Sequence, residues 1–127
     1  MTIRFNHSII AARDRTVSAA FYARVLGLPE PTTWGPFSFV MLDDHAHLQF
    51  ATVPEGADIH MQHYAFLVDD ESFDQIYERL LHAGLEQWAD PQMQFSGQIN
   101  TNHGGRGVYF KDPAGHGLEV ITRPYEM

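Results

Sequence analysis

The chain has no cysteine. Disulfide frameworks, thiolate nucleophiles and cysteine-ligated zinc are excluded with it. Basic residues are scarce too: 8 Lys and Arg stand against 16 Asp and Glu, a formal net charge of −8. Affinity for nucleic-acid phosphates and anionic lipid comes mainly from Lys and Arg, so neither nucleic acid nor a membrane surface is an expected partner. No apolar run approaches the roughly 18 residues that a membrane-spanning helix needs. The start of the chain, Met1 to His7, has neither the basic nor the apolar region of a secretory signal. These absences predict a cytoplasmic protein. What is present is a 127-residue chain, 44% hydrophobic, enough for one domain with a single core. It also has 8 histidines. Without cysteine, imidazole and carboxylate are the strong metal ligands available to it.

Two stretches of the chain begin alike. His7-Ser-Ile-Ile-Ala-Ala-Arg-Asp14 and His63-Tyr-Ala-Phe-Leu-Val-Asp-Asp70 align at an offset of 56 residues, His on His, apolar run on apolar run, Asp on Asp. An internal repeat places its two histidines at equivalent sites of two similar units. In the first unit, residues 3–12 read as a strand. The apolar residues 17, 21, 25 and 28 recur at helical spacing; Gly27 is a natural helix terminator, and Pro29 and Pro31 prevent the helix from resuming. Phe37–Leu42 and His47–Ala51 read as strands, with one more short strand near Thr32–Trp34. The second unit repeats the order, with a strand at Gln62–Val68 and a helix at Phe73–His82 ended by Gly84. The acidic run Asp69-Asp70-Glu71 suits a helix N-terminus, where negative charge is favourable. Two strands, Val108–Lys111 and Leu118–Thr122, are joined by the tight turn Asp112-Pro-Ala-Gly-His-Gly117. The expected fold is α+β, a single domain of two βαβββ modules whose sheets form a curved, incomplete mixed β-barrel around one site. Module one is 1–53, the linker 54–60 and module two 61–127. The second module carries about 14 extra residues within Asp90–Gly107, expected to form a hairpin or lid.

Each module offers an inward position on its first and on its last strand: His7 and Gln49, then His63 and Glu119. Side chains alternate along a strand, so Glu119 between Leu118 and Val120 can face away from a core. Two His and one carboxylate on a rigid sheet make a facial triad, the usual set for non-haem Fe(II) oxygenases. Zn, Mn, Ni or Co suit the same ligands. Among the remaining histidines, His47 shares a strand face with Gln49, His116 in the turn is expected to be structural, and His45, His60 and His82 are expected at the surface.

The repeated βαβββ pattern, the His opening each module and the ending Tyr109-Phe-Lys-Asp-Pro-Ala-Gly-His-Gly-Leu-Glu119 resemble the vicinal oxygen chelate superfamily. That superfamily includes glyoxalase I, extradiol ring-cleaving dioxygenases and bleomycin-resistance proteins. The resemblance implies that His7, His63 and Glu119 are metal ligands, and that the protein is a homodimer. Gln49 stands where glyoxalase I enzymes carry Glu; a neutral, weaker donor favours a three-ligand site. The resemblance therefore implies an Fe(II) extradiol-type dioxygenase that takes dioxygen and a small aromatic diol or polyketide-like substrate. A glyoxalase-type lyase or isomerase and a metal-free drug- or metabolite-binding protein are the alternatives. In the dioxygenase, Tyr109 resembles the active-site tyrosine and His103 is the candidate base. Gln49, Asn100 and Arg106 are candidate polar contacts to substrate, and Phe39, Trp88 and Phe95, with Phe37, a candidate aromatic wall.

Overall fold

The computed structural model describes residues 2–127. They form two compact units, the first ending at His60 and the second beginning at Met61.

The first unit runs β1 (His7–Ala12), α1 (Arg15–Leu26), β2 (Thr32–Trp34), β3 (Phe37–Met41) and β4 (His47–Thr52). Its four strands form a mixed sheet in the order β1-β4-β3-β2, with β1 and β4 parallel and the other pairs antiparallel. Helix α1 starts where Asp14 Oδ1 accepts from the backbone N–H groups of Thr16 and Val17, at 2.9 and 3.3 Å. It stops at Gly27, whose left-handed backbone (φ 71°) only glycine adopts without cost. The expected apolar stripe is rotated in one respect. Val17 is half exposed, and the buried face is Ser18, Ala19, Phe21, Tyr22, Ala23 and Val25. That face lies on β3 and β4, where Tyr22 meets Phe50 with ring centroids 4.7 Å apart. Both rings are fully buried, and each contributes about 1.5–3 kcal/mol by leaving water.

The second unit runs β5 (His63–Leu67), α2 (Asp70–His82), β6 (Gly107–Lys111) and β7 (Gly117–Ile121). Its mixed sheet has the order β5-β7-β6, β5 parallel to β7 and β6 antiparallel to it. Asp69 Oδ1 caps α2 by accepting from Ser72 N at 2.8 Å. The strand expected ahead of β6 is reduced here to isolated bridges, Trp88 to Ser96 and Trp88 to Tyr109. The extra residues follow at once, and their local bonds compete with a longer ladder. Asp90 accepts from the N–H groups of Gln94 and Phe95, and Asn100 bridges Gly107. A short 3-10 turn, Asn102–Gly104, ends the segment. No helix among the described residues is long and apolar enough to cross a membrane.

Offset registers tie the two units together as copies. In the first, Gln49 lies between Ile9 and Phe39; in the second, Glu119 lies between Ala65 and Tyr109. Thus Phe39 and Tyr109 are counterparts, as are His7 and His63, His47 and Gly117.

Candidate functional site

Each sheet presents one row of polar side chains. In the first unit, Asn6 fixes the row at its start, since its carbonyl accepts from His47 N at 2.9 Å. Its side-chain Oδ1 lies 2.7 Å from His7 Nδ1, so His7 donates there and leaves Nε2 as its other donor atom. His7 and His47 stack at 5.1 Å between centroids. His47 Nε2 then accepts from the Gln49 amide at 3.0 Å. Phe39 stands edge-on to His47 at 5.5 Å. These side chains, with Trp34, Met41 and Asn6, line a cavity of about 460 Å³. Its walls are aromatic and sulfur-bearing, and its polar groups are an amide pair and two imidazoles. A flat, weakly polar ring fits that chemistry.

In the second unit, the turn before β7 does the positioning. Asp112 Oδ1 accepts from the N–H groups of Ala114 and His116, both at 2.9 Å. The buried His116 ring then accepts from Gln62 N through Nδ1 at 3.0 Å, and Gly117 N donates to Gln62 O at 2.9 Å. His116 is structural, as expected, and it clamps the residue ahead of His63. His63 Nε2 donates to Glu119 Oε1 at 3.0 Å. His63 is half exposed, whereas Glu119 is 2% exposed. A carboxylate this buried carries a large desolvation cost unless it is paired or binds a cation. Gly117, where the first unit has His47, leaves the flank of His63 without a side chain, and Tyr109 stacks on the ring at 6.0 Å instead.

The other oxygen of Glu119 is also engaged. Tyr125 donates its hydroxyl to Oε2 at 2.5 Å, and Tyr109 OH lies 3.2 Å from Tyr125 OH. Because the Tyr125 proton goes to the carboxylate, Tyr109 is the donor in that second bond. Burial first, then the bonds to Tyr125 and Glu119, push the Tyr109 phenol far above its ordinary range. Burial and the Glu119 carboxylate push Tyr125 up as well. Both phenols hold their protons at neutral pH and serve as donors.

The other expected site residues are placed as follows. His103 has a left-handed backbone (φ 58°) and stacks on Tyr125 at 4.1 Å. Its Nδ1 accepts from Glu126 N at 3.2 Å, so neutral His103 carries its proton on Nε2; acting as a base at Nδ1 requires release of that bond. Asn100 is spent on the backbone, its amide donating to Ala89 O and its oxygen accepting from Asn102 N. Arg106 turns to α2, pairing with Asp74 at 2.6 Å and Asp70 at 3.3 Å above the Phe73 ring. Trp88 exchanges both backbone bonds with Tyr109, each 2.8 Å. Phe95 is exposed in the inserted loop. Gln49 and Phe39 lie in the cavity of the first unit, whereas these five belong to the second. Among the described residues no three His, Asp or Glu side chains are gathered into one group. The nearest to a ligand set is the pair His63 and Glu119. Sequence reasoning passed over Tyr125 and gave His47 no part in the site; a tyrosine beyond the last strand carries no periodic signal.

The family model for the Glyoxalase/Bleomycin resistance protein/Dioxygenase superfamily matches residues 4–120. The chain belongs to this superfamily. The solved structure of Oxidase ChaP-H1 superimposes with a TM-score of 0.92 at 48% identity, covering 99% of this chain and 100% of that one. Glutathione transferase FosA from Serratia marcescens is 28% identical over 121 residues, 91% of this chain and 77% of the relative. Metallothiol transferase FosB from Shouchella clausii is 42% identical over 60 residues, 47% of this chain and 37% of the relative. The superfamily thus joins oxidases and transferases on one scaffold, and fold alone does not choose between them. The donor set does narrow the chemistry: an imidazole nitrogen and a carboxylate oxygen 3.0 Å apart suit a borderline divalent cation.

Proposed function

We propose that this member of the superfamily is a metal-dependent oxygenase of the extradiol type, acting on a small aromatic diol or polyketide-like compound with dioxygen. One observation carries the reading: Glu119, a nearly fully buried carboxylate, meets His63 Nε2 at 3.0 Å, while its repeat counterpart is the neutral Gln49. Similarity over the full chain to a protein named an oxidase supports it. His63 and Glu119 would hold the cation, and His7 is proposed as a third ligand; Fe(II) is the proposed metal. A divalent cation bound there supplies Lewis acidity toward a substrate hydroxyl and, if redox-active, electrons for dioxygen. Gln49 and Phe39 bind and orient the ring in the cavity of the first unit, together with His47 and Trp34. Tyr109 keeps its phenolic proton and, once released from Tyr125 OH, would donate it toward negative charge on a substrate oxygen. His103 stands next to it through Tyr125 and offers an Nε2 proton.

The test is oxygen uptake by anaerobically Fe(II)-loaded protein over a panel of catechols and fused-ring diols. Uptake that requires metal, with ring-opened product, supports the assignment; no uptake with any diol overturns it. His7→Ala, His63→Ala and Glu119→Ala should each lose metal, and unchanged metal content in any of them removes that residue from the set. Similarity to Glutathione transferase FosA favours a second reading, a metal-dependent transferase or lyase that works without oxygen. Turnover of a thiol or carbonyl substrate under strict anaerobiosis would select it. We further propose a homodimer, checked by sedimentation equilibrium.

A further inference from the structure

The residues after β7 return to the buried carboxylate. Tyr125 lies six positions beyond Glu119 and reaches back to its Oε2 at 2.5 Å. Two more contacts hold this segment in place: the Tyr125 ring on His103 at 4.1 Å and 17°, and Glu126 N donating to His103 Nδ1 at 3.2 Å. His103 keeps a positive φ of 58° there, a conformation that costs a non-glycine residue free energy and persists where its surroundings enforce it. The stacked ring and the bond from Glu126 both engage the imidazole held in that conformation. Gly105 completes the fit, because a Cβ at that position would lie 2.5 Å from Thr122 Oγ1 and 2.7 Å from Arg123 Cγ. The loop therefore admits the chain leading to Tyr125 only as glycine.

A carboxylate has two oxygens to orient. Here one faces an imidazole and the other a phenol, and the phenol bond is charge-assisted, the stronger kind. We infer that Tyr125 is the positioning residue for Glu119: its hydroxyl occupies Oε2, turns Oε1 toward His63, and so makes Glu119 a one-oxygen donor. The segment after β7 is then an integral part of the second unit's polar row. The consequence for ligation rests on the metal-centre reading; the hydrogen bond itself does not.

Two measurements on the full-length protein test this separately. In the metal-free protein, the hydroxyl proton that Tyr125 donates to the Glu119 carboxylate should give a downfield proton resonance. It is expected in wild type and Tyr109→Phe, and absent in Tyr125→Phe and Glu119→Gln. A resonance that persists in Tyr125→Phe, or is missing from wild type, overturns the assignment. In the second, Co(II) is titrated while its visible spectrum is recorded. Tyr125→Phe should weaken Co(II) binding about 10–100-fold, the range for loss of a ligand-orienting partner, and alter the ligand-field bands as the second oxygen becomes available. Wild-type affinity and bands in Tyr125→Phe overturn it, even if Glu119→Gln abolishes binding and the metal centre stands. If wild type itself binds no Co(II), the metal-centre reading falls, and the resonance alone decides whether Tyr125 holds Glu119.

Discussion

Replacing Glu119 by Gln separates a carboxylate kept for function from one kept for structure. The side chain is 2% exposed, with Oε1 on His63 and Oε2 on Tyr125. Glutamine has nearly the same shape. Its oxygen still accepts from Tyr125, and its amide donates to His63 once the imidazole proton moves to Nδ1. Both bonds survive, and the desolvation cost of a buried charge disappears. Metal-free Glu119→Gln is therefore expected within about 1 kcal/mol of wild type, or above it. At about 2.1 cal/mol/K per residue, 127 residues give an unfolding entropy near 0.27 kcal/mol/K, so 1 kcal/mol is about 4 °C in Tm. A divalent cation at one hundred times its Kd adds about 2.7 kcal/mol to the native state, a rise of about 10 °C in wild type. If the amide weakens binding about 100-fold, the same free metal adds only about 0.4 kcal/mol, a rise under about 2 °C. Thermal melts with and without Mn(II) or Co(II) read both numbers. A full metal-dependent rise in Glu119→Gln would refute its role as ligand. A loss of more than about 2 kcal/mol in the metal-free variant would show that the carboxylate is structural.

Other expectations follow from the same geometry. Arg106→Lys should cost at most about 1 kcal/mol in urea denaturation, because its pairs with Asp70 and Asp74 are partly exposed. It should also leave KM for any diol substrate unchanged; a KM rise with unchanged stability would restore Arg106 as a substrate contact. Gly105→Ala should cost about 1–3 kcal/mol by overpacking, since Thr122 cannot yield freely while its Oγ1 accepts from Arg106 N at 2.8 Å; a neutral denaturation midpoint would argue against that tight fit. Asp69 is held below the ordinary carboxylate range by its bonds from Ser72. Its stabilising contribution is present above the unfolded value near pH 4 and is lost as pH falls through the lower folded value. Urea midpoints measured downward from pH 5 should fall less steeply in Asp69→Asn, which caps without a charge; equal slopes would remove Asp69 from the acid sensitivity.

The local grammar of the chain was legible because it depends on neighbours in sequence. Asp14 and Asp69 begin the helices where short acidic side chains reach their own backbone, and Gly27 ends α1 where φ must be positive. The repeat of His7 in His63, and of Gln49 in Glu119, survives as matched strand registers. That match depends only on the period-2 alternation of strands. Carried through to β3 and β6, the same arithmetic pairs Phe39 with Tyr109. The misplaced expectations involve competition between distant partners. Val17 fits a helical stripe in sequence, yet the helix turns Ser18 and Tyr22 to the sheet. The strand that the βαβββ pattern expects between α2 and β6 is reduced to isolated bridges at Trp88.

By itself, then, the sequence determined a duplicated α+β module, the absence of any thiol, and a His-and-carboxylate pair at the head of one strand and the centre of its neighbour. Tertiary structure decided what each polar group does. Arg106 could have faced a substrate, but two carboxylates on α2 lie closer. His103 could have served as a free base, but a backbone N–H from the chain end takes its Nδ1. Tyr125 had no role in the site until the chain folded back and set its hydroxyl on Glu119. The physical reason is the same in each case. Secondary structure follows from short-range sterics and periodicity, whereas the partner of a charge or a hydroxyl is whichever group the fold brings within about 3 Å.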